Sequence, residues 1–152
     1  DYIAQHGGAG RAIVGGSAMA GYYGTATAGD YGTATAGDYG TATAGRKGTA
    51  TAGYYGTATA GREGSAMAGD YGSATAGFRG SATAGRKGSA TAGDKGSATA
   101  GDEGTLVLSF WDGSRRRLAV GYIGENGLQA GVPYRLDDDG KFIEAGQEDG
   151  DE

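Results

Sequence analysis

From Gly21 to Ala100 the chain alternates small and hydroxylated residues in a fixed frame of ten consecutive octads, G-x-x-G-[TS]-A-[TM]-A. The second half of each octad has a period of two. It predicts a short strand with both Ala side chains on one face and the hydroxyl pair on the other. Thr suits such a strand because its branched Cβ sits well on a pleated surface. The G-x-x-G half predicts a sharp corner whose glycines are expected to take positive φ. An imperfect octad, Ile13 to Ala20, leads in, while Gly101 to Leu108 begins as an octad and turns apolar. Self-similarity of this kind decides the architecture before local propensity does. Gly falls at the first and fourth of eight positions rather than every third, so collagen is excluded.

The corner residues set the length of one coil. Every second octad carries, at its third position, Tyr23, Tyr39, Tyr55, Tyr71, Lys87 and Glu103; the octads between carry Tyr31, Lys47, Glu63, Arg79 and Lys95. One edge thus reads as a Tyr ladder and the other as a mixed-charge ladder. The period is 16 residues, two octads per coil. The fold class expected is all-β, a parallel β-solenoid with a flattened two-sheet Ala/Gly core. About four Ala methyls per coil, at roughly 0.8 kcal/mol per buried carbon, face the high ordering cost of a Gly-rich chain. Backbone ladders, close sheet packing, stacked Tyr and terminal caps must supply the remainder.

After Gly104 the pattern changes. Thr105–Ser114 and Arg115–Ile123 read together as a β-hairpin turning at Asp112-Gly113. Leu106, Leu108, Phe110, Leu118, Val120 and Ile123 are expected to form one hydrophobic cluster there, with Trp111 and Tyr134 completing the cap. A turn at Asp137–Gly140 precedes a last strand at Lys141–Glu144. The organisation expected is a lead-in at 1–20, a solenoid at 21–104, a hairpin cap at 105–145 and an acidic tail at 146–152.

Composition narrows the function. The ten octads contain no Leu, Ile, Val or Trp, so a conventional interdigitated core cannot be built from them. With no Cys and a single His, His6, disulfide scaffolds, thiolate metal sites and His-based catalysis lose their residues. Residues 1–100 carry a net +2 and residues 101–152 a net −7, with no strongly basic face for nucleic acid. No run reaches the ~18 apolar residues of a membrane span. Gly40–Lys47 has the outline of a phosphate loop, but with Arg46 where that loop needs Lys, and it recurs only because the repeat does. The Asp137–Gly140 cluster lacks the ligand spacing of a Ca²⁺ loop. The chain is therefore expected to be no enzyme, with no catalytic residue, metal or cofactor.

The octads, written as alternating G-Y-x-x-T-x-T-A units, resemble those of the bacterial ice nucleation proteins. So do Phe110-Trp-Asp-Gly113, Gly124-Glu-Asn-Gly127, Val132-Pro-Tyr134 and the Asp137–Asp139 run, which match that family's C-terminal domain in order and approximate spacing. The resemblance covers about residues 21–145. It implies outward Thr-x-Thr rows that order water: Thr25, Thr27, Thr41, Thr43, Thr57 and Thr59 on one sheet, with Thr33, Thr35, Thr49 and Thr51 on the other. It also implies a dimer seam along Tyr23, Tyr39, Tyr55 and Tyr71, basic corners at Arg79, Arg86, Lys87 and Lys95, and a place on the bacterial cell surface or outer membrane. Ice or ordered water, and a homodimer or higher homo-oligomer, are the partners it implies. Three features depart from the family pattern: Ala where its second half-repeat has an inward Leu, Met19 and Met67 within a Thr row, and Ser for the first Thr from Ser65 onward. The alternative is a structural or fibre-forming surface repeat without ice activity.

Overall fold

In the computed structural model, which describes residues 16–145, each octad forms a three- or four-residue strand and a corner. The strands are β1 (Ser17–Ala20), β2 (Thr25–Thr27), β3 (Thr33–Ala36), β4 (Thr41–Thr43), β5 (Thr49–Thr51) and β6 (Thr57–Thr59). They continue as β7 (Ser65–Met67), β8 (Ser73–Ala76), β9 (Ser81–Thr83), β10 (Ser89–Ala92) and β11 (Ser97–Thr99). Four more follow: β12 (Thr105–Trp111), β13 (Arg116–Tyr122), β14 (Tyr134–Leu136) and β15 (Phe142–Glu144). The described residues contain no helix, and so none long and apolar enough to cross a membrane. His6, most of the lead-in at 1–20 and the acidic tail lie outside the described residues.

From β1 to β12, even-numbered and odd-numbered strands separate into two sheets. Sheet A runs β2-β4-β6-β8-β10-β12-β13 and sheet B runs β1-β3-β5-β7-β9-β11-β14-β15. Within the array every pairing is parallel and offset by 16, as in Thr25↔Thr41↔Thr57 and Thr33↔Thr49↔Ser65. The result is a β-solenoid of about six coils, with the period expected from the corner residues. Both Ala of each octad are buried between the sheets, Ala26, Ala42, Ala58, Ala74 and Ala90 completely.

The corners are built differently from expectation. Among the described residues, no glycine of the array has positive φ. The left-handed position belongs to the third octad residue instead, from Tyr23 (φ 59°) through Tyr39 (61°), Glu63 (58°) and Lys95 (62°) to Glu103 (60°). From Tyr23 to Lys87 that conformation gives the third residue an N–H that reaches the next coil: Tyr39 donates to Tyr54 O and Lys47 to Arg62 O, both at 2.8 Å. Glycine is required for a different reason, which is close approach. A Cβ on Gly96 would lie 2.6 Å from Gly80 O and 2.9 Å from Ala92 Cβ. Coils separated by one strand spacing leave no volume for a side chain on the inner curve of the corner.

Aspartate at the second corner position adds a further tie. Asp30, Asp38 and Asp70 each accept, through Oδ1, the backbone N–H of the residue 16 ahead: Arg46 (2.9 Å), Tyr54 (3.0 Å) and Arg86 (2.9 Å). Asp94 breaks this series. Its Oδ1 accepts from Ser109 Oγ at 2.5 Å and lies 3.6 Å from Arg116 Nε, so the last coil is bound to the hairpin that follows.

β12 continues sheet A in the coil register, placing Leu106 beside Ala90 and Leu108 beside Ala92. These two leucines fill the end of the Ala core and are fully buried. β14 closes sheet B by an antiparallel step, Ala98↔Tyr134, and Tyr134 Oη accepts the Gln129 N–H at 2.9 Å. The expected single cluster is corrected here. Leu118, Val120 and Trp111 are exposed, at 65%, 48% and 62%. The register pairs Leu118 with Ser109 and Val120 with Val107, on the outward face; the positions of β13 opposite Leu108 and Leu106 are Ala119 and Gly121. The buried cluster is instead Leu106, Leu108, Leu128 and Tyr134, with Ile123, Val132, Leu136 and Phe142 packed against it. Phe110 is half-buried, its ring lying where a Cβ on Gly140 would be.

Asp112 organises the hairpin turn by accepting N–H bonds from Arg115 and Ser114 and pairing with the Arg117 guanidinium. These donors, the Arg115 amide first, hold its carboxyl well below the usual carboxylate range. Asp137 does the same at the next turn, accepting from Lys141 N and Asp139 N, both at 2.9 Å. That carboxylate is occupied in shaping a turn. Among the described residues no group of three or more His, Cys, Asp or Glu is placed to hold a metal ion.

Candidate functional site: threonine faces and a tyrosine edge

Two outward faces follow from the 16-residue register. On sheet A one row reads Thr25, Thr41, Thr57, Ser73, Ser89, Thr105, and its companion reads Thr27, Thr43, Thr59, Thr75, Thr91, Val107. The companion row holds five threonines without a break. On sheet B the rows read Ser17, Thr33, Thr49, Ser65, Ser81, Ser97 and Met19, Thr35, Thr51, Met67, Thr83, Thr99. Met19 and Met67 stand exposed in the second of these and divide its threonines into pairs. All ten threonines expected at the surface lie on the outward faces, half-buried or exposed.

Regularity on these faces has two sources. Parallel in-register strands repeat every ~4.8 Å, and alternate residues along a strand lie about 6.6 Å apart. Restricted χ1 then fixes the hydroxyl and methyl of each Thr relative to the sheet. A Ser at the same place keeps the hydroxyl but loses the methyl and gains rotational freedom. Ser81 and Ser97 use that freedom to bond each other, Oγ to Oγ at 3.3 Å, instead of facing water singly.

The Tyr edge forms as the spacing requires. Tyr23, Tyr39, Tyr55 and Tyr71 stack with centroids 5.0, 5.2 and 4.9 Å apart and interplanar angles of 19°, 8° and 14°. Two further tyrosines, absent from the sequence reading, widen it. Tyr22 meets Tyr23 and Tyr39 edge-on at 4.6 and 5.7 Å; Tyr54 meets Tyr55 and Tyr71 at 4.7 and 5.8 Å. Their signal was the G-Y-Y-G corner, which occurs at 21–24 and 53–56. The edge then changes character: Lys87 Nζ lies 5.8 Å from the Tyr71 ring and 3.4 Å from Glu103. Glu103 first and Tyr71 second push the Lys87 pKa up. On the opposite edge Lys47 lies over Tyr31 at 5.9 Å and pairs with Glu63 at 3.5 Å. Of the basic corners, Arg79 lies over the Phe78 ring at 5.4 Å.

Desolvation first, then the neighbouring tyrosines, raises the pKa of Tyr22 and of Tyr54. A raised pKa in the folded state means stability that is complete below the ordinary Tyr value, ~10, and is lost as pH rises through the folded values. The expected result is a loss of near-ultraviolet circular dichroism above that pH before the β-sheet signal falls. Coincident loss of both signals would separate the ladder from this pH response.

Sequence comparison finds three ice nucleation proteins. Two from Pseudomonas syringae are each 40% identical over 47 residues, 31% of this chain and 4% of theirs. One from Pseudomonas syringae pv. syringae is 39% identical over 46 residues, 30% of this chain and 4% of its own. The matched segment thus spans about 4% of the length of these curated relatives. No family model and no solved structure matches the chain. About 40% identity over nearly a third of the sequence, together with tandem Thr repeats and a 16-residue coil, fits a relative of the ice nucleation proteins.

Proposed function

We propose that the chain is a water-organising solenoid that binds ice through its Thr rows, sheet A before sheet B, and self-associates along the Tyr edge. The observation that carries this reading is the unbroken row Thr27, Thr43, Thr59, Thr75 and Thr91, flanked in register by Thr25, Thr41 and Thr57. Two fixed spacings on a stiff, flat surface are what holding water in an ice-like arrangement needs. Size sets the strength. The five steps of about 4.8 Å from Thr25 to Thr105 give a sheet A face roughly 24 Å long. That patch adsorbs to ice but is too small to template a critical embryo except at deep supercooling. Warmer nucleation needs copies joined side by side or end to end.

The test is droplet freezing and ice-crystal shaping with the purified chain beside two sets of variants. Changing Thr25, Thr27, Thr41, Thr43, Thr57 and Thr59 to Lys is expected to abolish ice shaping and to leave the β-sheet signal intact, because these side chains point outward. Changing Thr33, Thr35, Thr49 and Thr51 is expected to matter less, since Met19 and Met67 already interrupt that face. Equal activity of the parent and the first set would return the Thr rows to ordinary strand surface. The structural or fibre-forming reading would then replace this one.

A further inference from the structure

β13 is the end strand of sheet A and the longest edge strand of the described residues, seven residues where β15 has three. Its bonds to β12 follow from two neighbours of the ladder. Ile123 N–H donates to Gly104 O and Asp112 N–H donates to Arg115 O, both at 3.0 Å, in the register Thr105↔Tyr122. Odd-numbered residues therefore face β12. Arg116, Leu118, Val120 and Tyr122 turn their N–H and C=O groups to the open side. The Tyr122 carbonyl is taken by Glu125 N–H at 3.1 Å, and the Arg116 carbonyl by Arg115 Nε at 3.3 Å. Among the described residues nothing pairs with the N–H and C=O groups of Leu118 and Val120, and their side chains are exposed beside Tyr122. An exposed, apolar edge strand is a template for another strand.

We propose that the strand it takes is β13 of a second copy of this chain, antiparallel, about a two-fold axis at Ala119. The strand is self-complementary in that register. Ala119 is the midpoint of Arg116–Tyr122, so the axis there pairs the whole strand; moving it to Leu118 or Val120 leaves only five residues of each strand paired. Leu118 then faces the second copy's Val120, and Arg116 faces its Tyr122, an apolar pair and a cation–aromatic pair. Leu118 and Val120 form four backbone hydrogen bonds across the axis, and the two Tyr122 amides can add one each. Like charges stay apart. The two Arg117 side chains start roughly 14 Å apart along the strand and the two Arg116 roughly 20 Å, beyond the ~8 Å screening length at physiological salt. Such an isologous contact closes at two copies. It joins the two A sheets into one surface, with the arrays pointing away from each other. Only the value of that larger Thr face rests on the proposed function; the pairing does not.

The experiment combines sedimentation equilibrium of the full chain with engineered cross-linking, which is clean because the chain has no Cys. In the proposed dimer, Ala119 and its copy form a non-hydrogen-bonded pair with Cα atoms about 4.5 Å apart, within disulfide range. Ala119→Cys is expected to give a disulfide dimer under mild oxidation. Leu118→Cys, whose copy lies a diagonal step away, is expected to stay largely monomeric. With the Tyr edge disabled by Tyr39→Ser and Tyr55→Ser, the chain is expected to show a concentration-dependent monomer–dimer equilibrium, weakened about tenfold or more (~1.4 kcal/mol) by Leu118→Lys with Val120→Lys. Both side chains are already exposed, so folding should persist, and circular dichroism checks it. Val120→Pro removes an outward N–H without touching the β12 ladder and should act likewise. A Tyr39→Ser, Tyr55→Ser chain that stays monomeric throughout, association unchanged when the two lysines are added, or Leu118→Cys cross-linking as readily as Ala119→Cys would each overturn the proposal. The first two would assign the edge to another segment or another protein.

Discussion

Gly96→Ala is expected to destabilise the array by about 3 kcal/mol or more, at the upper end of overpacking effects, while the change beside it, Lys95→Asn, is expected to stabilise it by roughly 1 kcal/mol. The opposite signs follow from how the corner is built. Gly96 has ordinary negative φ, but a Cβ there would meet Gly80 O at 2.6 Å, Ala92 Cβ at 2.9 Å and Gly93 O at 3.1 Å. The nearest of these is backbone of the preceding coil, so relief requires the coils to move apart and their ladder bonds to lengthen. Lys95 holds φ at 62°, a conformation that Asn tolerates far better than Lys. Urea unfolding of the two variants and the parent gives both numbers. Two destabilised variants, or two neutral ones, would mean that the corner relaxes in ways this geometry does not contain.

Deleting residues 105–152 is expected to turn a soluble chain into an aggregating one, with most of it pelleted or in end-to-end fibres at concentrations where the full chain is clear. β12 covers the free side of β10, and Tyr134 begins the strand that covers β11. Their removal bares two strand edges at once, together with Ala90, Ala92, Ala98 and Ala100 of the last coil. It also strips Asp94 of Ser109 and Arg116. Light scattering and electron microscopy read the outcome. A soluble, monomeric, β-rich truncation would remove the capping role from this segment.

Much of the array was legible because a strict repeat constrains every coil alike. The 16-residue alternation of Tyr23, Tyr39, Tyr55 and Tyr71 could be satisfied only by two octads per coil, and the alternation of Ala with Thr placed each side chain on its face. What escaped was the corner and the cap. Positive φ was expected at glycine because glycine has the freedom for it, yet Tyr39 and Lys95 take that conformation, as Gly40 and Gly96 are needed where coils nearly touch. Freedom of φ and absence of volume are different properties of glycine, and a sequence does not say which is in use. In the same way, apolar character made Leu118 and Val120 look buried, although their register with Ser109 and Val107 turns them outward.

The sequence by itself determined the period, the two-faced strands, the Ala core and the stacking order of the tyrosines, since each follows from local alternation repeated without a break. Only the tertiary structure decided which corner residue is left-handed, that Tyr22 and Tyr54 join the aromatic edge, that Asp94 binds the hairpin, and that Leu128 rather than Leu118 seals the core. Those outcomes depend on distances between residues 15 or more apart and on the pairing of non-repeating strands, where one residue of register exchanges the inside of a sheet for its outside.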